Sequence, residues 1–227
     1  MKVFYTDFCN SGTEAVYRKA GKYFPVSFRE RLHRLYQDTD KMRFLLGRML
    51  LIKALEEYGF NPEVSGTIKL SAHGKPYLPG EDFYFNISHS GNYVICAAMQ
   101  GSDIGVDVEQ MKPIELETVR RVMNDKEWEE IDNSSNPEET FYRYWCMKEA
   151  AVKADGRGFF IESEQVTVEG ESVFISGECW CLKELSLHPE YKMYLAFKEP
   201  VTPLEIIRMP VDKLIDIDSF PPWGQMY

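Results

Sequence analysis

The chain has 227 residues, of which 44% are hydrophobic and 27% are charged, as in an ordinary globular protein. No apolar run approaches the ~18–20 residues that a membrane-spanning helix needs, and residues 1–7 lack the basic and apolar pattern of a signal peptide. The five cysteines are odd in number and irregularly spaced, which argues against a disulfide framework and a zinc motif. These features predict a cytoplasmic protein with no membrane association.

The charge is unevenly distributed along the chain, whose net charge is −10. Residues 1–60 contain 11 Lys and Arg against 7 Asp and Glu, whereas residues 61–227 contain 15 against 29. The acidic second part would repel a nucleic-acid backbone, so we expect no nucleic-acid partner. The basic first part is compatible with a local pocket for a small polyanion, and equally with solvated helix faces.

The first sixty residues predict one strand followed by helices. Residues 2–5 have strand composition, residues 13–24 are weakly helical, and residues 28–36 form a basic segment. A helix is predicted between Asp38, which can cap its start, and Gly59, because apolar residues recur at helical spacing. Arginines on or beside these helices could hold phosphate, and they are Arg31, Arg34, Arg43 and Arg48.

Two turns between apolar segments carry polar side chains. A turn at Gly74 has Lys75 at its tip and Pro76 after it. Ser88 and His89 connect two apolar strands. This second turn is either a plain hairpin or a phosphate site, because a hydroxyl, an imidazole and backbone N–H groups together suit an anion.

The boundary between two halves, residues 1–102 and 103–227, is placed at a Gly-Ser-Asp turn. After this turn, apolar residues alternate with Gly105, Asp107 and Glu109 as in a β-strand, so that the apolar side chains face a core and the polar ones face outwards. The two carboxylates then lie roughly 6–7 Å apart at Cα and can close on one hard cation. An exposed strand edge without a metal would show the same pattern.

A second acidic motif lies in a predicted helix that begins at Asn136. Helical spacing places Trp145, Lys148, Glu149 and Lys153 in one neighbourhood. An acid beside two lysines and an apolar anchor suits a site that holds a cation and a phosphate together. Glu149 and Lys153 could otherwise be an exposed ion pair worth only ~0.3–0.5 kcal/mol.

The remaining predicted elements give the second half both helices and strands. Asn124 and Glu127 have the spacing of a capping box, so Glu127 is either a structural residue or a site residue. Residues 166–197 predict four short strands of an antiparallel sheet, and the proline-rich tail from Pro200 predicts an irregular surface segment. Each half therefore combines helices with an antiparallel sheet, which suggests a diverged internal duplication.

Together, these motifs resemble the 4′-phosphopantetheinyl transferases, and in particular the long surfactin-synthetase-activating type. The resemblance covers nearly the whole chain. The motifs that carry it, in order, are the Leu45-Leu46-Gly47 helix, Gly74-Lys75-Pro76, residues 85–91, residues 105–109 and residues 145–153.

The resemblance implies an α+β fold with two similar α/β halves in pseudo-twofold arrangement, each with an antiparallel sheet packed on helices. Coenzyme A would bind in the cleft between them and donate its 4′-phosphopantetheine arm to a serine of an apo acyl or peptidyl carrier protein. Adenosine 3′,5′-bisphosphate would be released. Short relatives build this cleft between subunits, so a chain of this length is expected to be a monomer.

The resemblance also implies roles for the acidic motifs. Asp107, Glu109 and Glu149 would bind Mg²⁺ or Mn²⁺, ions that favour oxygen ligands. Glu149 or a water would take the serine proton, and Lys153 would stabilise or protonate the leaving phosphate. Lys148 would bind the phosphates, and Glu127 is a further catalytic candidate.

Other matching positions would contact coenzyme A. The complete set expected at the cofactor is Arg31, Arg43, Lys75, Pro76, Ser88, His89, Lys148 and Lys153. Within it, Lys75 and Pro76 match positions at the adenine. Phe28 and Phe44 depart from the family pattern, because the surfactin-type enzyme has a lysine and a threonine there.

Two other functions remain open on the sequence alone. A Mg²⁺-dependent phosphohydrolase or nucleotidyl transferase would use the same three carboxylates with water or another acceptor. A non-catalytic carrier-binding protein would bind without turnover.

Overall fold

The structure is a computed structural model that describes residues 1–8, 24, 26–161, 165–199 and 203–215. Its α-helices are α1 (Val26–Arg34), α2 (Asp38–Glu57), α3 (Leu116–Val119), α4 (Asp125–Asp132), α5 (Pro137–Asp155) and α6 (Val211–Leu214). Short 3-10 helices span Pro62–Thr67, Arg120–Val122 and Gly158–Phe160. The strands are β1 (Lys2–Asp7), β2 (Lys69–Leu70), β3 (Pro76–Tyr77), β4 (Tyr84–Ser90), β5 (Tyr93–Met99), β6 (Ile104–Gln110), β7 (Val166–Glu169), β8 (Ser172–Ile175), β9 (Glu178–Glu184), β10 (Tyr191–Phe197) and β11 (Glu205–Arg208).

The strands form two main sheets, which confirms the predicted α+β class with two similar halves. The first sheet has the order β11-β1-β5-β4, and the second has the order β6-β10-β9-β8-β7. Neighbouring strands in both sheets are antiparallel, except that β11 is parallel to β1. The strands β2 and β3 form a separate two-stranded ribbon.

The elements stack as helix, sheet, sheet and helix. One face of the first sheet packs on α2, with Val94, Cys96 and Ala98 of β5 in this core. The alternate residues Ile95 and Ala97 face the other way and pack against β6 and β10 of the second sheet. Helix α5 covers the remaining face of the second sheet. Among the described residues, no helix is long and apolar enough to cross a membrane.

Four predictions about the fold have different outcomes. The helix predicted between Asp38 and Gly59 is present as α2, and Gly59 has the positive φ of 79° expected after a helix end. The prediction of an irregular tail after Pro200 is wrong in part, because β11 in this tail adds to the first sheet beside β1. The helical residues predicted at 13–24 lie outside the described residues, except for Phe24. The division into two halves at residue 102 stays a prediction. The strand β11, from the second half of the chain, joins the sheet of the first half beside β1.

Gly105 sets the distance between β6 and α5. A Cβ atom at this position would overlap the carbonyl oxygen of Ala150 and lie 2.5 Å from the backbone nitrogen of Ala154. Both obstacles are backbone atoms of α5, so neither can rotate away. The absence of a side chain therefore lets the helix lie directly against the strand that carries Asp107.

We predict that Gly105→Ala destabilises the protein by about 3 kcal/mol or more, because the new methyl forces α5 away from β6. Gly47→Ala is the matched control, since its methyl meets side chains and no backbone atom, with Cγ2 of Ile87 at 3.0 Å and Cγ1 of Val94 at 3.7 Å. The gain in helix propensity should keep this control within about 1 kcal/mol of wild type. Urea unfolding of both variants measures the difference, and equal stabilities would contradict the close approach.

Candidate active site

The site lies where the edge strand of one sheet meets the edge strand of the other. The outer edge of β6 would leave every second backbone N–H group without a strand partner. Side chains of β4 accept these hydrogen bonds instead. Asn86 Oδ1 accepts from Val106 at 3.0 Å, Ser88 Oγ accepts from Val108 at 3.3 Å, and Ser90 Oγ accepts from Gln110 at 3.1 Å. We call these three residues of β4 the Asn86–Ser90 row.

The same hydroxyls also bind the acidic residues of β6. Ser88 Oγ donates to Asp107 Oδ1 at 3.1 Å, and Ser90 Oγ donates to Glu109 Oε2 at 2.8 Å. The predicted alternation of β6 is therefore correct, but its polar residues do not face solvent. Gly105 and Asp107 are buried, because this face of the strand is covered by α5.

Asp107 is the most buried of the three predicted metal ligands, with a relative exposure of 2%. Its Oδ1 accepts from Lys153 Nζ at 2.5 Å, and the same amine donates to Ser88 Oγ at 2.9 Å. Burial disfavours the charged amine most strongly, but the charge and hydrogen bond of Asp107, together with the charges of Glu149 and Glu109, outweigh this effect and raise the pKa of Lys153. The other carboxylate oxygen of Asp107, Oδ2, is buried without a hydrogen-bond partner among the described residues.

Glu109 and Glu149 are close enough to Asp107 for its negative charge to affect their pKa values. Burial, and then repulsion from Asp107, raises the pKa of both glutamates. Hydrogen bonds from Ser90 and Trp145 to Glu109 act in the opposite direction. The three carboxylates therefore form one electrostatically coupled group, in which a single lysine offsets only part of the negative charge.

These residues fit a hard divalent cation, although they do not form a finished metal site. No group of three or more His, Cys, Asp and Glu side chains in the described part of the chain is arranged to hold an ion. The donors are all carboxylate oxygens, which suit Mg²⁺ or Mn²⁺. A cation would give the unpartnered Oδ2 of Asp107 a partner, and its positive charge would oppose the effects that raise the pKa of both glutamates.

A cavity of about 530 Å³ opens beside this group. Its walls include several residues predicted to bind coenzyme A or to act in catalysis, namely Lys75, Pro76, Lys148, Glu149 and Lys153. Lys75 extends from the first half to the second, where its Nζ donates to Asp103 Oδ1 at 2.6 Å and to the carbonyl of Ala154 at 2.5 Å. The amine thus lies at the carbonyl end of α5, where the helix dipole favours a cation.

Lys148 of α5 and Glu127 of α4 form a buried ion pair. Lys148 Nζ lies 2.6 Å from Glu127 Oε2 and donates to the carbonyl of Val122 at 3.1 Å, and both side chains are nearly inaccessible. Glu127 also completes the capping box with Asn124, as predicted, and its Oε1 accepts from Val168 at 3.3 Å. These contacts give Glu127 a structural role, and its catalytic role stays a prediction.

His89 lies on the exposed side of β4, so the turn predicted at Ser88 and His89 is wrong: the strand continues to Ser90, and the turn comes at Gly91 and Asn92. Partial loss of solvation and the positive charges of Arg43 and Lys153 lower the pKa of its imidazole. Arg43 donates through Nε and Nη2 to the carbonyl of Gly91 at 2.9 and 2.7 Å and pairs with Asp40. Arg43 therefore holds the turn that follows His89, in addition to supplying positive charge there.

The two aromatic departures from the family pattern form a stacked pair. The rings of Phe28 and Phe44 lie 4.5 Å apart, and the guanidinium groups of Arg31 and Arg48 lie 5.1 Å from Phe44 and 5.6 Å from Phe28, respectively. Burial and the nearby charge of Arg31 lower the pKa of Arg48 to about 10. The two guanidinium groups repel each other, and a bound anion would offset this repulsion.

Two residues of the site were not identified from the sequence. Asn86 and Ser90 extend the contact of Ser88 along β4, one step in each direction. Their signal is a period of two: polar residues at positions 86, 88 and 90 repeat with the same spacing as Gly105, Asp107 and Glu109. Only the structure shows that β4 and β6, which belong to different sheets, lie side by side.

Comparison with known proteins matches both halves of the chain. The family model for the N-terminal part of 4′-phosphopantetheinyl transferases matches residues 11–101, and the 4′-phosphopantetheinyl transferase superfamily model matches residues 103–193.

Three Bacillus subtilis relatives are similar to this chain. A 4′-phosphopantetheinyl transferase is 34% identical over 62% of this chain and 63% of that protein. The 4′-phosphopantetheinyl transferase Sfp of strain 168 is 31% identical, and the transferase ffp is 33% identical, each over 82% of this chain and 88% of the relative. The chain therefore belongs to the 4′-phosphopantetheinyl transferase superfamily and is an enzyme of that activity.

Proposed function

We propose that this enzyme transfers the 4′-phosphopantetheine arm of coenzyme A to a serine hydroxyl of an apo acyl or peptidyl carrier protein, in a reaction that requires Mg²⁺. The observation that carries the proposal is the convergence of Asp107, Glu109 and Glu149 beside a cavity with lysines in its wall. A phosphoanhydride with its metal needs this combination of carboxylates and amines.

The reaction breaks one bond of the coenzyme A pyrophosphate. The serine oxygen of the carrier protein bonds to the phosphorus next to the pantetheine arm, and the bond from this phosphorus to the bridging oxygen breaks. Adenosine 3′,5′-bisphosphate leaves with the bridging oxygen. Bound Mg²⁺ would neutralise the pyrophosphate charge, with Asp107, Glu109 and Glu149 as its protein ligands.

The residues of the chain have complementary roles in this proposal. Glu149, or a water that it orients, takes the proton from the serine hydroxyl. Lys153 neutralises or protonates the leaving phosphate; its place in the cavity wall supports both roles, and its raised pKa, which keeps the amine charged, supports neutralisation. Lys148 contacts the phosphates, and Glu127 keeps its amine in position. Ser88 and His89 contribute further donors to the phosphates.

The same proposal assigns the remaining coenzyme A contacts. Lys75 and Pro76, in the cavity wall, lie at the adenine, whereas Arg31 and Arg43 hold the 3′-phosphate. One chain supplies all of these groups, which supports a monomeric enzyme. The thiols of the described residues Cys96, Cys146, Cys179 and Cys181 are free, which is compatible with a cytoplasmic location.

Asp107→Ala and Glu149→Gln are each predicted to reduce transfer by at least about a thousandfold, because each removes an oxygen ligand of the ion that neutralises the pyrophosphate. Mass spectrometry of an apo carrier protein incubated with coenzyme A and Mg²⁺ measures the gain of one phosphopantetheinyl group. Glu129→Gln, at an exposed acid of α4, is the control and should retain full activity.

Two outcomes would contradict this assignment. Rates like wild type in both variants would exclude the carboxylates as metal ligands. Release of adenosine 3′,5′-bisphosphate with no mass gain on any carrier protein would favour a phosphohydrolase instead.

Glu127→Gln is predicted to destabilise the enzyme by about 3 kcal/mol, because it leaves the buried Lys148 amine without its counter-charge. The double variant Glu127→Gln/Lys148→Met removes both charges and should recover most of this stability without recovering transfer. Thermal unfolding and the carrier assay distinguish the two effects. A double variant that transfers at the wild-type rate would show that neither side chain acts in the reaction.

Arg31→Ala is predicted to raise the KM for coenzyme A about tenfold, the effect of losing a charge-assisted hydrogen bond of ~1.5 kcal/mol. The matched control is 3′-dephospho-coenzyme A, which lacks the group that Arg31 would bind. Its KM should be the same for the variant and the wild type. An equal rise with both substrates would place Arg31 elsewhere than at the 3′-phosphate.

A further inference from the structure

Ser90 lies in the first half of the molecule, but both of its hydrogen-bond partners lie on β6 in the second half. Its Oγ accepts from the backbone N–H of Gln110 at 3.1 Å and donates to Glu109 Oε2 at 2.8 Å. We propose that Ser90 is a positioning residue, which fixes the carboxylate of Glu109 in the orientation needed to bind the metal ion. This inference rests on the proposed metal site.

The hydrogen-bond chemistry leaves one arrangement for this hydroxyl. A backbone N–H can only donate, so the Ser90 oxygen must be the acceptor from Gln110. An ionised carboxylate can only accept, so the single proton of Ser90 is directed at Glu109. The backbone of β6 therefore determines which way the hydroxyl points, and the hydroxyl determines where one oxygen of Glu109 lies.

Glu109 needs this support more than Asp107 does. Asp107 is short and 2% exposed, whereas the longer side chain of Glu109 is only partly buried. The hydroxyl of Ser90 on β4 thus holds one oxygen of a long and only partly buried side chain. Hydrogen bonds of this kind to metal-binding carboxylates typically change metal affinity by about tenfold to a hundredfold.

Ser90 can be tested separately from the neighbouring contacts. Ser88 also accepts from Lys153, so its removal would disturb an amine that is proposed to act in the reaction. Ser90 has only Glu109 and Gln110 as hydrogen-bond partners among the described residues. Loss of its hydroxyl therefore changes the orientation of one metal ligand and leaves the charges of the site unaltered.

The test is a titration of the full-length enzyme with Mn²⁺ in the presence of coenzyme A and without a carrier protein, so that no turnover occurs. The electron paramagnetic resonance signal of free Mn²⁺ measures the bound fraction. Ser90→Ala should raise the Kd for Mn²⁺ about tenfold or more. Ser90→Thr, which keeps the hydroxyl, should remain within about twofold of wild type.

Tyr58→Phe is the matched control for general loss of stability. It removes another partly buried hydroxyl, which donates to the carbonyl of Ala98 at 2.9 Å within the first half. This control should bind Mn²⁺ like wild type. The half-maximal Mg²⁺ concentration for transfer should rise in Ser90→Ala only, with most of the maximal rate retained at saturating Mg²⁺.

Each other outcome overturns the inference. If wild type binds Mn²⁺ and Ser90→Ala binds equally tightly, Ser90 does not position the ligand, although the metal site stands. If Tyr58→Phe weakens binding as much as Ser90→Ala, the effect is one of stability. If wild type itself binds no Mn²⁺, both the metal site and the role of Ser90 are wrong.

Discussion

The Asn86–Ser90 row is the interaction on which the rest of the structure depends. Two sheets meet at their edges, where an unpaired row of backbone N–H groups would be costly to bury. Three side chains of β4 accept these hydrogen bonds in place of a neighbouring strand. The halves are thereby held in one register, and Ser88 and Ser90 reach the acids of β6 in the same geometry. The same side chains therefore join the two halves and order the acidic residues of the site.

The second constraint is a charge imbalance that folding creates. A buried Asp107 is brought together with the partly buried Glu109 and Glu149, and Lys153 is the amine that contacts Asp107. Burial and mutual repulsion raise the pKa of both glutamates, which means that the folded protein holds them ionised at a cost. A divalent cation would remove that cost, and release of Lys153 from Asp107 would free its amine for a phosphate. In the proposed metal site, this electrostatic cost in the absence of the ion would be the source of the affinity for it.

Much of this arrangement could be predicted from the sequence. The alternation in β6 and the helical neighbourhood of Glu149 and Lys153 are local patterns, so their secondary structure could be predicted. What could not be predicted is which faces meet. The polar face of β6 was expected to point outwards, but the missing side chain of Gly105 allows α5 to cover it. The pairing of β11 with β1 joins segments about 200 residues apart along the chain, and no local pattern encodes it. The role of Ser90 likewise depends on an edge-to-edge contact between two sheets.

The central claim is that three carboxylates from one strand and one helix share a single ion between the two halves. Anomalous diffraction from crystals of the enzyme grown with Mn²⁺ and coenzyme A would test it most directly. The account predicts one strong manganese peak at roughly 2.0–2.2 Å from oxygens of Asp107, Glu109 and Glu149, the distance typical of small hard cations. A peak bound elsewhere, or bound coenzyme A with no peak among these three side chains, would contradict it.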